Sequence, residues 1–376
     1  MDVKNLFNAI SDLGGEFFTG VPDSLLAHFI DNIIVRHGIS KRHIVAANEG
    51  AAVGLAAGHY LATGCPAVVY MQNSGIGNAV NPICSLLSEK VYAIPVIFVI
   101  GWRGEPGVKD EPQHAFQGEV TLQLLDCLKI PYVVINEDTQ DLGRETGEFK
   151  KHIGNGRPVA FVIRKDALSG GSKAEYTSMA EMSRERVLGL ILGSSGDSDV
   201  FVCTTGKLSR EVYDIREQNE AGHKSDFLTV GSMGHCIMIA YGIAISKPER
   251  RVFCLDGDGA ALMHLGSLAV VGAGQPQNLV HVVINNGAHE SVGGIPAVSA
   301  NLNFKEVALP LKYKHSFSAA NEDELTNILR SVAGLDGPVF IEVFCNLKSR
   351  GDLSRPATMP IRNRDEFMSF LSGEHL

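Results

Sequence analysis

Short segments rich in Val, Ile and Phe recur along the chain, and longer segments with helical periodicity separate them. Their apolar residues run continuously instead of alternating with polar ones, which is typical of strands buried on both faces. Such strands form parallel sheets covered by helices, so the sequence predicts an α/β fold of doubly wound parallel sheets. The predicted strands are 16–21, 43–48, 67–72, 95–101, 131–135 and 158–163, then 199–206, 226–232, 251–257, 279–286 and 338–344.

A polar segment that contains Gly and Ser separates the two series of strands, and its composition is typical of a linker. The 376 residues are enough for two domains, each with its own core. We therefore expect a first domain over 1–165, a linker over 166–186 and a second domain over 187–376. Similar glycine spacings in the two halves leave open whether both domains repeat one plan.

Composition limits the classes of function. The chain has 33 Lys and Arg against 42 Asp and Glu, a net charge of −9, and it lacks a basic run. A broad surface for nucleic acid or anionic membrane is therefore excluded. The N-terminal residues do not resemble a secretory signal, and the apolar segments are too short to cross a bilayer. We expect a soluble, cytoplasmic protein.

Cysteine spacing gives no sign of a metal or disulfide site. The seven cysteines are far apart and form no C-x-x-C pair, so the sequence predicts neither a disulfide framework nor a thiolate zinc site. His281 lies within an apolar strand, and we expect it to be a core residue.

The most informative motif joins two predicted strand ends, because 25 residues separate a G-D-G triplet from an N-N pair. Parallel strands bring their carboxyl ends to one edge of the sheet, where ligands bind. Free N–H groups there suit an anionic oxygen, and carboxylate and amide oxygens suit Mg²⁺. Each motif alone is an ordinary turn sequence, but the paired spacing favours a site. The predicted residues are Gly257, Asp258, Gly259, Ala260 and Asn286.

This pattern resembles the metal and diphosphate signature of thiamine-diphosphate enzymes. The resemblance implies that Asp258 and Asn286 are side-chain Mg²⁺ ligands and that Ala288 supplies a backbone carbonyl. It also implies a pyrimidine-binding domain over 1–165 and a diphosphate-binding domain over 187–376, with no room for a central third domain. Members of the family place the cofactor between subunits, so the resemblance implies a homodimer or a larger homo-oligomer with cofactor sites at subunit interfaces.

Glu49 matches the family's activating carboxylate. It stands at a strand-to-helix junction, followed by small residues that let a planar ring approach. The resemblance implies that Glu49 binds N1′ of the aminopyrimidine and stabilises the tautomer that takes the C2 proton of the thiazolium. The alternative is that Glu49 only complements a helix dipole.

Two further segments agree with a cofactor site. By the resemblance, Met233 occupies the position of the bulky residue under the bent cofactor, with Gly231 and Ser232 beside the aminopyrimidine. Thr204 and Thr205 follow a strand and offer donors for the diphosphate. The alternatives are an ordinary core methionine at the start of a helix predicted over 233–245 and a threonine helix cap.

Three segments of the first half are more specific: FFTGVPDSLL, MQNSGIGNAVNPI and GWRGEPGVKDEPQHAFQG. They resemble the phosphonopyruvate decarboxylase family and, more loosely, the sulfopyruvate decarboxylases. The resemblance implies non-oxidative decarboxylation of 3-phosphonopyruvate to 2-phosphonoacetaldehyde and CO₂ in phosphonate biosynthesis. The expected partner is then a small anionic 2-oxo acid.

Such a substrate carries several negative charges, so a protein with net charge −9 must concentrate cations locally. We expect Arg103 or Lys109, together with Lys207, to bind the phosphonate. Asp23 and His114 are expected to move protons or to position the carboxylate. The alternatives are solvated loop charges and, for Asp23, a helix N-cap.

Three other classes of function compete with this interpretation. An oxidative dehydrogenase component would share every cofactor residue. A nicotinamide-dependent oxidoreductase would fit the sheet pattern, but the first strand-turn-helix contains no G-x-G-x-x-G. A non-catalytic binding module would retain the fold without the activity.

Overall fold

The computed structural model describes residues 1–373, and the chain divides into two compact units. The first unit is Met1–Glu175, and the second begins at Tyr176. The boundary falls within the segment predicted as linker. Helix α7, which begins at Arg184, already occupies the last residues of that segment.

The first unit contains one sheet of six parallel strands, in the order β2-β1-β3-β4-β6-β5. Its strands are β1 (Phe18–Gly20), β2 (His43–Val45), β3 (Ala67–Gln72), β4 (Val96–Gly101), β5 (Tyr132–Ile135) and β6 (Val159–Ile163). Its helices are α1 (Val3–Asp12), α2 (Ala27–His37), α3 (Glu49–Thr63), α4 (Ile76–Pro82), α5 (Pro112–Cys127) and α6 (Gly143–Gly154).

The second unit contains another sheet of six parallel strands, in the order β13-β14-β10-β9-β7-β8, and a short antiparallel hairpin of β11 and β12. Its strands are β7 (Val200–Cys203), β8 (Asp226–Leu228), β9 (Val252–Gly257), β10 (Leu279–Asn285), β11 (Ala288–His289), β12 (Ile295–Pro296), β13 (His315–Ala319) and β14 (Val339–Phe344). Its helices are α7 (Arg184–Gly193), α8 (Lys207–Gln218), α9 (Cys236–Ser246), α10 (Asp258–Met263), α11 (Gly266–Gly274), α12 (Phe304–Ala308), α13 (Glu322–Val332) and α14 (Pro360–Ser372).

The predicted fold class is confirmed, and the two sheets follow one plan. Read from the other edge, the second sheet repeats the strand order of the first once the β11–β12 hairpin is left out. The central strands β3, β4, β9 and β10 are buried almost throughout, because helices cover both faces. In each sheet most of the predicted site residues follow the carboxyl ends of the parallel strands.

Two elements differ from the prediction. Strand β13 was not predicted, because its sequence alternates and it lies half-buried at the sheet edge. A helix was expected to begin at Met233, but α9 begins at Cys236. The preceding Gly231, Ser232 and Gly234 have φ of 77°, 49° and 86°, which a right-handed helix does not accommodate.

None of the helices within residues 1–373 has both the length and the apolar character that crossing a membrane requires.

Candidate functional site

The G-D-G turn places Asp258 at the junction of β9 and α10. Its carboxylate is 4% exposed and accepts hydrogen bonds from the Ser299 hydroxyl and from the N–H groups of Gly259 and Gly287. Burial raises the pKa of Asp258 to about 6, against the opposing effect of these donors. The Asp258 carboxyl group is therefore shielded from solvent, and a bound cation would stabilise its charged form.

The N-N pair lies at the end of β10, and its two side chains make different hydrogen bonds. Asn285 is buried, donates to Glu342 Oε1 at 2.8 Å and accepts from the Gly287 N–H at 2.9 Å. Asn286 is half-buried and accepts from the Ala288 N–H at 3.1 Å. Asn285 thus fixes the turn that carries the predicted ligands Asn286 and Ala288.

A cavity of about 150 Å³ brings most of the predicted cofactor residues of the second unit together. Among the described residues other than the chain neighbours, no atom lies within 4 Å of the position that a Cβ would take at Gly206 or Gly257, so the backbone there is open to a ligand. The predicted residues that line the cavity are Thr204, Thr205, Lys207, Met233, Gly257, Asp258, Gly259, Ala260, Asn286 and Ala288. Arg184, His289 and Glu290 line it as well.

Gly259 lies beneath two side chains of this cavity. A Cβ added there would stand 3.1 Å from the His289 ring and 3.6 Å from the Met233 methyl group. The backbone at Gly259 is therefore covered by a ring and a flexible thioether. Burial lowers the pKa of His289 to about 4, so the imidazole is neutral near pH 7.

Glu290 collects four donors at the rim of the cavity. It accepts from Arg184 at 2.7 Å, from Asn286 at 3.1 Å and from Lys207 at 3.2 Å. Ser349 also donates to it. Although burial acts in the opposite direction, these cations and donors lower the pKa of Glu290. The carboxylate thus holds Lys207 and Arg184 at the cavity in a fixed arrangement.

The loop before α9 contacts the Thr204–Thr205 strand end through one hydrogen bond. The Gly231 N–H donates to Thr205 Oγ1 at 2.9 Å. Ser232 is exposed and adopts a left-handed backbone conformation, and Met233 is half-buried. The structure therefore brings Gly231 and Met233 to the Thr205 and Gly259 sides of the cavity.

In the first unit, Glu49 is the first residue of α3 and is 5% exposed. Its Oε2 accepts a 2.8 Å hydrogen bond from Asn78. A Cβ at Gly75 would stand only 2.4 Å from Glu49 Oε1, so the carboxylate packs directly on that glycine. The carboxylate is held inside the unit instead of extending into solvent.

Asp23 follows β1 and is 1% exposed. It caps the turn that begins at Ser24 by accepting from the Leu25 N–H at 3.1 Å, and it also accepts from the Gln72 amide at 2.8 Å. Burial raises the pKa of Asp23 against the opposing effect of these donors and of the Arg103 charge. The capping alternative is thus observed, together with a second contact that a simple cap does not need.

The loop between β4 and α5 holds Arg103 in a paired state. Asp110 accepts hydrogen bonds from Arg103 Nε, at 2.7 Å, and from Arg103 Nη2. The remaining nitrogen, Nη1, donates to the Ser24 hydroxyl at 3.2 Å. Although burial opposes it, the guanidinium and two backbone N–H groups hold the pKa of Asp110 well below its usual range. Lys109 is exposed.

His114 is buried near the start of α5, in the first unit. Burial, together with the charge of Arg103, lowers the pKa of its imidazole. Within residues 1–373, its Nδ1 is buried without a hydrogen-bond partner. A neutral imidazole with a free nitrogen can exchange a proton with a ligand.

Two family models match the chain. Residues 3–125 match the thiamine pyrophosphate enzyme N-terminal TPP binding domain, and residues 204–343 match the C-terminal TPP binding domain. The fold and the cavity thus define a thiamine pyrophosphate enzyme.

Sequence similarity to known decarboxylases shows which group of thiamine pyrophosphate enzymes the chain belongs to. The chain is 32% identical to phosphonopyruvate decarboxylases from Streptomyces viridochromogenes and Streptomyces hygroscopicus, over 98% of this chain and 94% of each relative. It is 27% identical to a sulfopyruvate decarboxylase from Methanosarcina acetivorans, over 64% of this chain and 65% of that protein. The chain belongs to the phosphonopyruvate decarboxylase family of thiamine pyrophosphate enzymes.

The residues at the cavity fit the cofactor of this family. A diphosphate needs cations, hydroxyl groups and free N–H groups, and Lys207 and the Thr204–Thr205 strand end offer them at the cavity. The three guanidinium nitrogens of Arg184 already donate to Glu211 and Glu290. The open backbone at Gly206 and Gly257 leaves space for phosphate oxygens.

Several residues of the site were not identified from sequence. Asn285 was recognised only as part of a motif, and its partner Glu342 lies 57 residues away on another strand. Arg184 lies in the segment expected to be linker, and Ser299 gives no sequence signal for its contact with Asp258. For Glu290, its position four residues after Asn286 was the one available indication.

Proposed function

We propose that the protein decarboxylates 3-phosphonopyruvate to 2-phosphonoacetaldehyde and CO₂, without an external oxidant. The observation that carries the proposal is the similarity to two phosphonopyruvate decarboxylases over 98% of the chain. It covers both cofactor-binding halves and the loop between β4 and α5. The carboxyl carbon leaves as CO₂, and the retained electron pair takes up a proton to give the aldehyde.

We propose that the first unit is the pyrimidine-binding domain and the second the diphosphate-binding domain, with the boundary near Glu175. Mg²⁺ is proposed to bind the Asp258 carboxylate, the Asn286 amide oxygen and the Ala288 carbonyl. These are hard oxygen donors, which Mg²⁺ prefers. The burial of Asp258 supports the proposal, because a cation would remove the cost of the shielded charge.

Thiamine diphosphate, when bound, would supply the electron sink for the pair that the 2-oxo carbon retains when CO₂ leaves. Glu49 is proposed to accept a hydrogen bond from the aminopyrimidine. Its burial against Gly75 and its bond to Asn78 support that role, because they fix the carboxylate oxygens.

Glu290 holds Lys207 at the cavity, and Arg184 is bound by both Glu290 and Glu211. We propose that Lys207 contacts the anionic part of the substrate, with Arg103 or Lys109 of the first unit contributing the second cation. The pairing of Arg103 with Asp110 orients the guanidinium, so Arg103 is the better candidate of the two. Asp23 and His114 are proposed to position the carboxylate or to move the final proton.

The decisive experiment compares 2-oxo acids as substrates. Purified protein with thiamine diphosphate and Mg²⁺ is given phosphonopyruvate, sulfopyruvate or pyruvate, and CO₂ release and free aldehyde are measured without an electron acceptor. We expect phosphonopyruvate to give the highest kcat/KM and phosphonoacetaldehyde to be released. A preference for sulfopyruvate would assign the second candidate, which the Methanosarcina acetivorans relative favours. Activity that requires an electron acceptor would contradict the non-oxidative reaction.

We also propose that the active form is a homo-oligomer, because enzymes that this chain resembles share cofactor sites between subunits. Sedimentation of the protein at assay concentration tests this directly. A fully active monomer would contradict it.

A further inference from the structure

Three side chains with metal-ligating atoms meet inside the second unit, on the sheet face covered by α9 and α11. Cys254 and Asp256 lie two residues apart on β9 and point to the same face, and His281 on β10 is paired with Cys254. One ligand atom from each residue lies within 4.8 Å of the others. All three residues are 0% exposed.

Two atoms of this cluster are buried without a hydrogen bond in the part of the chain that the structure describes. Asp256 Oδ2 and His281 Nε2 lack a hydrogen-bond partner there, and they lie 3.7 Å apart. Buried polar atoms of this kind cost free energy unless something satisfies them. Their other atoms have neighbours: Asp256 Oδ1 accepts from the Gly257 N–H at 2.9 Å, and His281 Nδ1 lies 3.3 Å from the Tyr313 hydroxyl.

We propose that Cys254, Asp256 and His281 bind a divalent transition cation of the zinc type, separate from the proposed Mg²⁺ site. Thiolate, imidazole and carboxylate are the ligands that Zn²⁺ takes in proteins, and tetrahedral zinc places them about 3.2–3.8 Å apart. Tetrahedral zinc places a ring nitrogen and a carboxylate oxygen about 3.3 Å apart, so the 3.7 Å between His281 and Asp256 needs to shorten by only about 0.4 Å. One thiolate and one carboxylate also neutralise a divalent cation, so the buried site carries no net charge.

The residues around the cluster favour a bound zinc ion over an Asp256–His281 ion pair without a metal. A zinc-ligating histidine usually directs its second nitrogen to a hydrogen-bond partner, and Tyr313 stands beside His281 Nδ1. A second thiol, Cys236, lies 3.5 Å from Cys254 Sγ. Cys236 stands outside the group of three ligand atoms, so we expect it to support Cys254 and not to bind the cation.

Metal binding displaces the thiol proton. Burial raises the pKa of Cys254 to about 11, so without a cation the thiol keeps its proton. Coordination releases that proton to solvent and leaves the thiolate on the cation. Because the site is closed, the cation enters while the second unit folds, and it resists later removal.

The position of Cys254, Asp256 and His281 on two adjacent strands gives the proposed cation a structural role. Strand β9 leads from Cys254 and Asp256 directly to Asp258, and β10 leads from His281 to the Asn285 turn. A cation shared by the two strands ties them together just before the proposed Mg²⁺ ligands. This inference goes beyond the proposed function and does not depend on it.

The test measures zinc in the untagged holoenzyme. Cells are grown with added zinc, and the protein is exchanged into metal-free buffer containing Mg²⁺ before elemental analysis. We expect about one zinc per chain in the wild type and less than about 0.1 in Cys254→Ala and His281→Gln. Cys203→Ala is the matched control, because that buried thiol belongs to the core on the opposite face of the sheet, and it retains the zinc.

A second measurement uses the wild type alone and does not depend on variants that fold. Protein produced in cobalt-supplemented cells is expected to show thiolate-to-Co²⁺ charge-transfer absorption. Wild type with less than about 0.1 zinc per chain, or with cobalt but no thiolate absorption, overturns the proposal. Equal loss of zinc in Cys203→Ala also overturns it.

Discussion

The side-chain amide of Asn285 donates a 2.8 Å hydrogen bond to the Glu342 carboxylate, and both residues are buried. The same asparagine accepts from the Gly287 N–H, so it fixes the turn that follows β10. A residue of β14 thereby supports the segment that carries Asn286 and Ala288. Burial raises the pKa of the Glu342 carboxyl.

Removing the Glu342 side chain tests this support. We expect Glu342→Ala to lower the free energy of unfolding by about 1–3 kcal/mol, because the Asn285 amide is left buried without an acceptor. The Mg²⁺ concentration for half-maximal activity should rise as the turn loosens. Glu342→Gln keeps a carbonyl acceptor for Asn285 but loses the acceptor of the Lys305 N–H. It should therefore be less destabilised than Glu342→Ala in urea unfolding and should stay close to the wild type in the Mg²⁺ titration. Equal damage in both variants would contradict the hydrogen-bond argument.

Gly75→Ala tests the placement of Glu49 without removing its carboxylate. The new Cβ would stand 2.4 Å from Glu49 Oε1, so the side chain must move. We expect kcat to fall at least about tenfold, since catalysis depends on sub-ångström positioning. The matched control is Gly77→Ala, because in the described part of the chain no atom outside the local helix backbone lies within 4 Å of its added Cβ. Unchanged kcat in Gly75→Ala would show that the position of Glu49 is unimportant.

Removal of the two proposed cofactor carboxylates gives the most direct test of the cofactor assignment. We expect Glu49→Ala and Asp258→Ala each to lower kcat/KM by about 10²-fold or more. Asp258→Ala should also weaken Mg²⁺ binding, measured by titration calorimetry, whereas Glu49→Ala should not. Substantial activity in both variants would exclude the proposed site.

The two candidate cations should act on substrate binding. We expect Lys207→Ala and Arg103→Ala each to raise the KM for phosphonopyruvate about tenfold or more, because each removes a charge-assisted contact. Exposed Lys129 of the first unit provides a control, and Lys129→Ala should leave KM unchanged. If only Lys109→Ala raises KM among the loop variants, Lys109 and not Arg103 is the loop cation. If the KM for phosphonopyruvate is unchanged in both Lys207→Ala and Arg103→Ala, the assignment of these two residues to the substrate's anionic group is wrong.

The Arg103–Asp110 pair predicts a pH dependence of stability. The pKa of Asp110 is held below its unfolded value of about 3.9, so its stabilising contribution is complete above that pH. It is lost as pH falls towards the folded pKa. We expect Asp110→Asn to lower Tm by about 2–4 °C between pH 5 and 8 and the difference to shrink below about pH 4.

The control for this pH profile is Glu119→Gln, which changes charge at an exposed site of the same unit. Its Tm should follow the wild type throughout. A Tm difference for Asp110→Asn that grows towards acid pH would contradict the direction of the pKa shift.

Much of the architecture was predictable because it depends on local pattern. Continuous apolar segments predicted eleven of the twelve strands in the two sheets, and the fold class with them. The edge strand β13 lacked that signal, since a half-buried strand needs few apolar residues. The start of α9 was misplaced because left-handed backbone at Gly231, Ser232 and Gly234 cannot be inferred from the helical pattern that follows.

The amino-acid sequence by itself determined which residue types stand at the strand ends, because parallel strands present their carboxyl ends at one edge wherever the chain is α/β. Glu49 and Asp258 could be singled out on that basis. Only the tertiary structure decided their distant partners, such as Ser299 for Asp258, because hydrogen bonds between remote segments leave no spacing to detect. The same reason explains why the sequence shows no sign of the Cys254 cluster. The chain has no C-x-x-C spacing, but the adjacent strands β9 and β10 bring Cys254, Asp256 and His281 together.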